Sequence, residues 1–125
     1  MKTKNIENKP LDIREKTFSF AVEIVQLCRN LEGDYSVWRV LGKQLLMSGT
    51  FIEANAEEAH AGQTRADFIS KYAITLKEAR ETIYWLRLIQ DASSLEDVGI
   101  HRLIQEAEEI SKIIGSIIVN TKKAR

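Results

Sequence analysis

Three poor helix formers, Ser48, Gly49 and Thr50, stand in a row at the centre of a helical apolar pattern running from Gln44 to Asn55. Glycine costs about 1 kcal/mol relative to alanine inside a helix, so a helix that keeps this triplet must recover the loss through contact. Close approach to a neighbouring helix, or a deliberate kink, are the physical means available. An ordinary surface helix is a poor home for it. The triplet therefore asks for a protein built of packed helices.

Helical spacing recurs in four blocks separated by short breaks. In the first, about 11–32, Leu11, Phe18, Val22 and Val25 form one stripe, and Phe20, Ile24, Leu27 and Leu31 form a second beside it. Gly33 is a stop, and Asp34 or Ser36 can cap the second block, about 34–61. There Val37, Leu41, Leu45, Ser48, Ile52, Ala56 and Ala59 share a side, and Gly62 ends the run. Thr64-Arg65-Ala66-Asp67 reads as a capping-box variant opening the third block, about 64–91. It carries Phe68, Tyr72, Leu76, Ala79, Ile83, Leu86 and Ile89 or Gln90. Ser93 or Ser94 can cap the fourth, about 94–121. Leu103, Ala107, Ile110, Ile114 and Ile117 line one face of it, widened by Ile100, Ile104, Ile113 and Ile118. No period-two alternation and no Asn-Gly or Asp-Gly turn occurs. The expectation is an all-α, up-down-up-down antiparallel four-helix bundle over residues 11–121, with a polar leader at 1–10 and a basic tail at 122–125.

Composition narrows the function classes. A chain of 125 residues, 44% apolar and 29% charged, is enough for one continuous core. No apolar run approaches the roughly 20 residues that cross a bilayer, and no apolar stretch follows the charged start, so neither a membrane nor a secretory signal is expected. The lone Cys28 excludes an internal disulfide and fits a reducing compartment, which makes the cytoplasm the expected location. Charge balances at 18 basic against 18 acidic residues, without the basic excess of a dedicated nucleic-acid binder. The tails are locally basic, and Lys2, Lys4, Lys9, Lys122, Lys123 and Arg125 are the candidate nucleic-acid contacts. Between Leu95 and Ile110, five acids face Arg102 alone, which reads as a solvated helix face.

Little in the chain points to catalysis. Glu57 and His60 have the Glu-x-x-His spacing of di-iron bundles, but the second histidine, His101, has Val98 three residues before it, so the second half of such a site is missing. No phosphate loop, nucleophile elbow or zinc spacing is present, and Cys28 sits among apolar neighbours as a packing residue. No catalytic, cofactor-binding or metal residue is expected. Glu78, Arg80, Glu81 and Arg87 suit ion pairing, either on the surface or across a subunit seam. Asn55, unfavourable in a helix interior, is expected to tie its helix to a neighbour. Tyr84 and Trp85 could stack a nucleobase, yet at this spacing they suit core or interface.

Two segments also carry a family likeness. Gln44, Leu45, Leu46, Ser48, Gly49, Thr50, Ile52, Ala54 and Asn55, followed by Glu58 and Ala59, form one motif. The other runs from Asp67-Phe68-Ile69 through Leu76 to Leu88. Together they resemble the four-helix-bundle proteins encoded in intervening sequences of bacterial 23S ribosomal RNA genes. The resemblance implies a homo-oligomer, with a pentameric ring as its form. Gln44, Ser48, Gly49, Thr50, Phe51, Asn55, Glu58, Arg80, Glu81 and Trp85 would be its packing or oligomer residues. Accessory proteins of diversity-generating retroelements, which bind a reverse transcriptase and RNA, are similar in fold but strongly basic. Here Met47, Phe51 and Glu53 replace the family's usual Arg, Ser and Gly, which turns the motif away from RNA and towards protein contact.

Overall fold

The computed structural model describes residues 12–31, 36–92 and 98–124, the side chains of Ser36 and Val98 excepted. Within them lie four helices: α1 (Ile13–Leu31), α2 (Ser36–Ala61), α3 (Arg65–Ala92) and α4 (Val98–Lys123). The starts of two are chemically marked. At α1 the Asp12 carboxylate accepts the Arg14 amide at 2.7 Å, and at α3 the Thr64 hydroxyl accepts the Asp67 amide at 3.0 Å. Each side chain thereby satisfies an amide that the first helical turn leaves without a carbonyl. The Arg14 amide, and then its guanidinium, holds the Asp12 carboxyl below its ordinary range. The stop and caps expected at Gly33, Asp34, Ser93 and Ser94 lie outside the described residues, as does Leu11.

Residue pairs fix the topology. Ile24 meets Gly49 and Cys28 meets Gly42, so α2 runs against α1. Ser48 meets Thr82 and His60 meets Tyr72, so α3 runs against α2. Lys16 reaches Glu106 and Glu109 while Glu23 reaches Arg102, so α4 runs against α1 and closes the bundle. Each helix packs on its sequence neighbours, and the α1/α4 junction is the thinnest of the four.

One core fills the centre. Phe20, Ile24, Leu45, Ile52, Tyr72, Leu86, Ile89, Ile110 and Ile114 are its largest fully buried members besides three threonines, Thr17, Thr75 and Thr82. The threonines cost little there, because each hydroxyl donates to a carbonyl of its own helix: Arg14, Lys71 and Glu78 respectively. Among the described residues no buried side-chain nitrogen or oxygen lacks a partner.

Two expected faces come out differently. Of the two stripes on α1, Phe20, Ile24 and Leu27 are buried, whereas Phe18, Val22 and Val25 face solvent. A helix at a bundle corner buries only the arc between its two neighbours, and a double stripe is wider than that arc. Val37 was grouped with the inward side of α2 but is 61% exposed. Successive four-residue steps rotate about 40° each around the helix, so Val37 has drifted well away from Leu45.

Candidate interaction surface

The Ser48-Gly49-Thr50 triplet divides its residues among three directions, since neighbours in a helix point about 100° apart. Gly49 faces α1: a Cβ there would stand 2.9 Å from Ile24 Cγ2 and 3.0 Å from Cγ1, closer than real carbons approach. Ser48 faces α3, where its Oγ lies 2.9 Å from Thr82 Oγ1 inside the core. With Thr82 donating to the Glu78 carbonyl, Ser48 donates in that pair; alternatively Thr82 donates to Ser48, and Ser48 then donates to the Leu45 carbonyl at 3.3 Å. Thr82 also has the Glu78 carbonyl at 2.8 Å, so either hydroxyl can turn without stranding the other. Thr50 is half-buried and donates to the Leu46 carbonyl at 2.8 Å. The triplet thus lets α2 approach two helices at one level.

Within the chain, the hydrogen bond of Asn55 stays on α2. Its Nδ2 donates to the Phe51 carbonyl, four residues back on its own helix, at 2.9 Å. The polar contact between helices at this place is the Ser48–Thr82 pair. Thr82 was missed because threonine reads as a surface residue. The usable signal was its place in the run Thr75, Ala79, Thr82, Leu86 and Ile89, all of them buried. Lys16 was missed likewise: its side chain is 8% exposed and its Nζ bridges Glu106 at 3.0 Å and Glu109 at 3.1 Å. Burial alone would push Lys16 down, but the hydrogen bonds and charges of these two carboxylates more than offset it and hold the ammonium above its usual value.

His60 does not stand free beside Glu57. Its Nε2 lies 2.7 Å from the Tyr72 hydroxyl, and Phe68 packs edge-on against both rings. Burial pushes the Tyr72 phenol up to about 12. The described residues contain no cluster of three or more His, Cys, Asp or Glu able to hold a metal.

The remaining expected residues lie on the outside. Gln44, Phe51, Glu58, Arg80 and Glu81 are exposed and Trp85 is half-buried, with Tyr84 edge-on to it at 4.8 Å. Glu78 is raised, first by burial and then by the neighbouring Glu81 charge. Lys122 and Lys123 are exposed in the last turn of α4, while Lys2, Lys4, Lys9 and Arg125 lie outside the described residues.

Apolar surface gathers along α1 and α2. Phe18 is 58% exposed and Val22, Val25 and Leu46 between 36% and 39%, with Met47 and Phe51 further round α2 at 41% and 43%. Two grooves mark the edge where α1 and α2 meet. One, of about 630 Å³, is lined by Asp12, Arg14, Glu15, Phe18 and Ser19 of the α1 end and by Glu57. The other, of about 160 Å³, places Trp38, Arg39, Gly42, Lys43 and Leu46 around Cys28. On the same edge Glu53 is raised, first by burial and then by its hydrogen bond with Glu57.

Antiparallel helices in four-membered closure, with these contacts, define a four-helix-bundle protein in which no described helix is long and apolar enough to cross a membrane. Residues 9–116 match the family described as 23S rRNA-intervening sequence protein, and the chain belongs to that family. A similar solved structure is the crystal structure of a protein of unknown function from the S23 ribosomal protein family of Bacteroides thetaiotaomicron VPI-5482. It matches with a TM-score of 0.77 at 39% identity, over 86% of this chain and 98% of that one. No curated protein matches.

Proposed function

We propose that this protein is a non-enzymatic, cytoplasmic scaffold that assembles with copies of itself, a five-subunit ring being the form the family resemblance implies. The observation that carries the proposal is the apolar surface on α1 and α2, from Phe18 and Val22 to Met47 and Phe51, which no described part of the chain covers. Exposed apolar side chains gathered on a helix pair in this way suit contact with another protein surface. The polar groups that could have suggested chemistry are otherwise engaged: His60 is held by Tyr72, and the Tyr72 phenol stays neutral far above physiological pH. Size-exclusion chromatography with light scattering at micromolar concentration tests the proposal. The expected mass is a multiple of the 14.3 kDa chain, five-fold for the ring. A monomer overturns it.

A second function has one observation in its favour. Lys122 and Lys123 project from the last turn of α4, and an assembly would repeat that basic end once per subunit. This suits an accessory to nucleic acid or to a reverse transcriptase. Retardation of a structured RNA that weakens steeply with salt is the expected result; no binding at low salt disposes of it.

A further inference from the structure

We propose that copies of this chain dock head to tail, the α1/α2 face of one onto the α2/α3 face of the next, with Lys77 of α3 entering the acidic groove beside Phe18. This rests on the self-assembly proposed above and adds the two surfaces and the charges that pair them. Gly49 turns to α1 and Ser48 to α3, which leaves α2 two outer flanks. At about 100° per residue, Leu46 lies about 60° round from Gly49, on the flank beside α1. Phe51 lies about 60° round from Ser48, on the flank beside α3, with Met47 next to it. The first flank continues onto α1 through Phe18, Val22 and Val25. The second continues onto α3 through the exposed Lys77 and through Ile74 and Tyr84, 37% and 57% exposed. The Tyr84 ring leans on Trp85, which sits about 60° round from Thr82 on this same side of α3.

Rotation about an axis parallel to the bundle carries a residue round and leaves its height unchanged, so two faces meet only at matched heights. The Ile24–Gly49 and Ser48–Thr82 contacts set one level in α1, α2 and α3. Phe18 precedes Ile24 and Lys77 precedes Thr82 by about 8–9 Å along their parallel helices. Glu57, beyond Ser48, and Ile74, before Thr82, stand about 12–14 Å from that level at the same end. Val25 and Tyr84 stand within about 3 Å of it, on the other side. The groove of about 630 Å³ between Phe18, Glu15 and Glu57 thus comes level with Ile74 and Lys77, and Val25 with Tyr84. Charge fits as well as height. Arg14 pairs with Asp12 and also acts on Glu57, but it is the one cation lining a groove that Asp12, Glu15 and Glu57 make acidic. Glu53, hydrogen-bonded to Glu57, adds a further carboxyl. The Lys77 ammonium supplies the missing positive charge, and Ile74 covers Phe18. Docked each on its own kind, one of the two faces would stay bare; a single head-to-tail contact covers both. Neighbouring faces of a four-helix bundle stand about 90° apart, near the about 108° at the corner of a five-membered ring. The contact therefore closes into a small ring, odd numbers included, with α2 nearest the axis.

Light scattering on the wild type and two variants, alone and mixed, tests this, with circular dichroism checking that each remains helical. Val22→Glu with Val25→Glu spoils the α1/α2 face, and Lys77→Glu with Tyr84→Glu spoils the α2/α3 face. Each variant alone is expected at the single-chain mass of 14.3 kDa. Mixed, each still offers one sound face, so a species of two chains, one of each variant, is expected and nothing larger. The mixture is measured at about 100 µM, since a single contact lacks the mutual support of a closed ring. Should a double substitution lose helicity, Phe18→Ser and Lys77→Gln replace the pair. Each should weaken association about ten-fold, the second more strongly at low salt, and unchanged association in either overturns the docking. An assembled wild type whose mass survives either double substitution overturns the docking and leaves self-assembly standing. So does a mixture that stays at single-chain mass or regains the full mass. A wild type that is monomeric overturns both.

Discussion

Replacing Gly49 by alanine sets two calculable effects against each other. Alanine should gain about 1 kcal/mol of helix propensity over glycine. Against that, the new Cβ would meet Ile24 Cγ2 at 2.9 Å, Cγ1 at 3.0 Å and Cβ at 3.3 Å. None of these atoms is the far end of a flexible side chain, because they sit at and next to the branch point. A branched side chain in a helix has one strongly preferred rotamer, and Ile24 is wholly buried, so α1 and α2 themselves must move apart. Overpacking of this kind costs about 1–3 kcal/mol, and with backbone movement required the upper part of that range applies. The expected net effect of Gly49→Ala is a loss of about 1–2 kcal/mol, a fall of about 3–8 °C in melting midpoint for a domain of this size. The proof lies in a double-mutant cycle. Ile24→Ala removes both γ carbons, so in that background Gly49→Ala should stabilise by about 1 kcal/mol, reversing its sign. Ile24→Val keeps both γ carbons and should rescue nothing. Thermal and urea melts at one fixed protein concentration measure all five variants, because assembly shifts apparent stability. If Gly49→Ala raises the midpoint of the otherwise native chain, the argument from close approach is refuted.

Lys16→Met should keep the packing of the stem but leave Glu106 and Glu109 without their shared cation. With Glu109 half in water the loss is discounted to about 1–2 kcal/mol by urea titration. Since the folded Lys16 is raised above 10.5, its bridge is complete below that pH and is lost as pH climbs through the folded value; the methionine variant should lack that alkaline decline. Tyr72 should ionise near 12 in the folded protein rather than at 10.0, followed by phenolate absorbance. Its contribution to stability is therefore whole below pH 10 and disappears between about 10 and about 12. Tyr72→Phe should abolish that phase and cost about 1 kcal/mol, because the exposed His60 turns to water. Ser48→Ala should cost only about 0.5–1 kcal/mol, since Thr82 keeps the Glu78 carbonyl and no buried group is orphaned. In hydrogen exchange, amides of α1 should open before those of α3, and the gap should widen in salt, because ion pairs hold much of the α1/α4 junction.

The helices were legible because their signals are local. Apolar spacing gave their number and order, and Thr64 marked the start of α3 with the hydrogen bond its position suggests. Which arc of each helix is buried was less legible, because it depends on where the neighbours stand. Phe18, Val22 and Val25 share the spacing of core residues and differ from Phe20, Ile24 and Leu27 only by rotation about the axis. Buried polar residues were least legible of all. Residue type alone does not separate Thr82, paired with Ser48, from a surface threonine, and only its spacing with Ala79 and Leu86 does; Lys16 has no such signal, because its two carboxylates lie more than eighty residues away. Asn55 shows the converse, a polar residue in a helix whose amide nitrogen finds its acceptor on its own helix, at the Phe51 carbonyl.

The α1/α4 junction has a consequence for how the chain folds in time. Ile24 and Gly49 are joined by a short stretch of chain, whereas Lys16 and Glu109 are separated by 93 positions. Closing the longer loop costs about 1 kcal/mol more in chain entropy, so this contact is rewarded last. Interlocking side chains would be an awkward way to finish, since they attract only once nearly in place. Charges attract from about 8–10 Å, across water and before any fit is made. A bundle that latches its final edge with Lys16 and Arg102 lets the last helix find its berth from a distance.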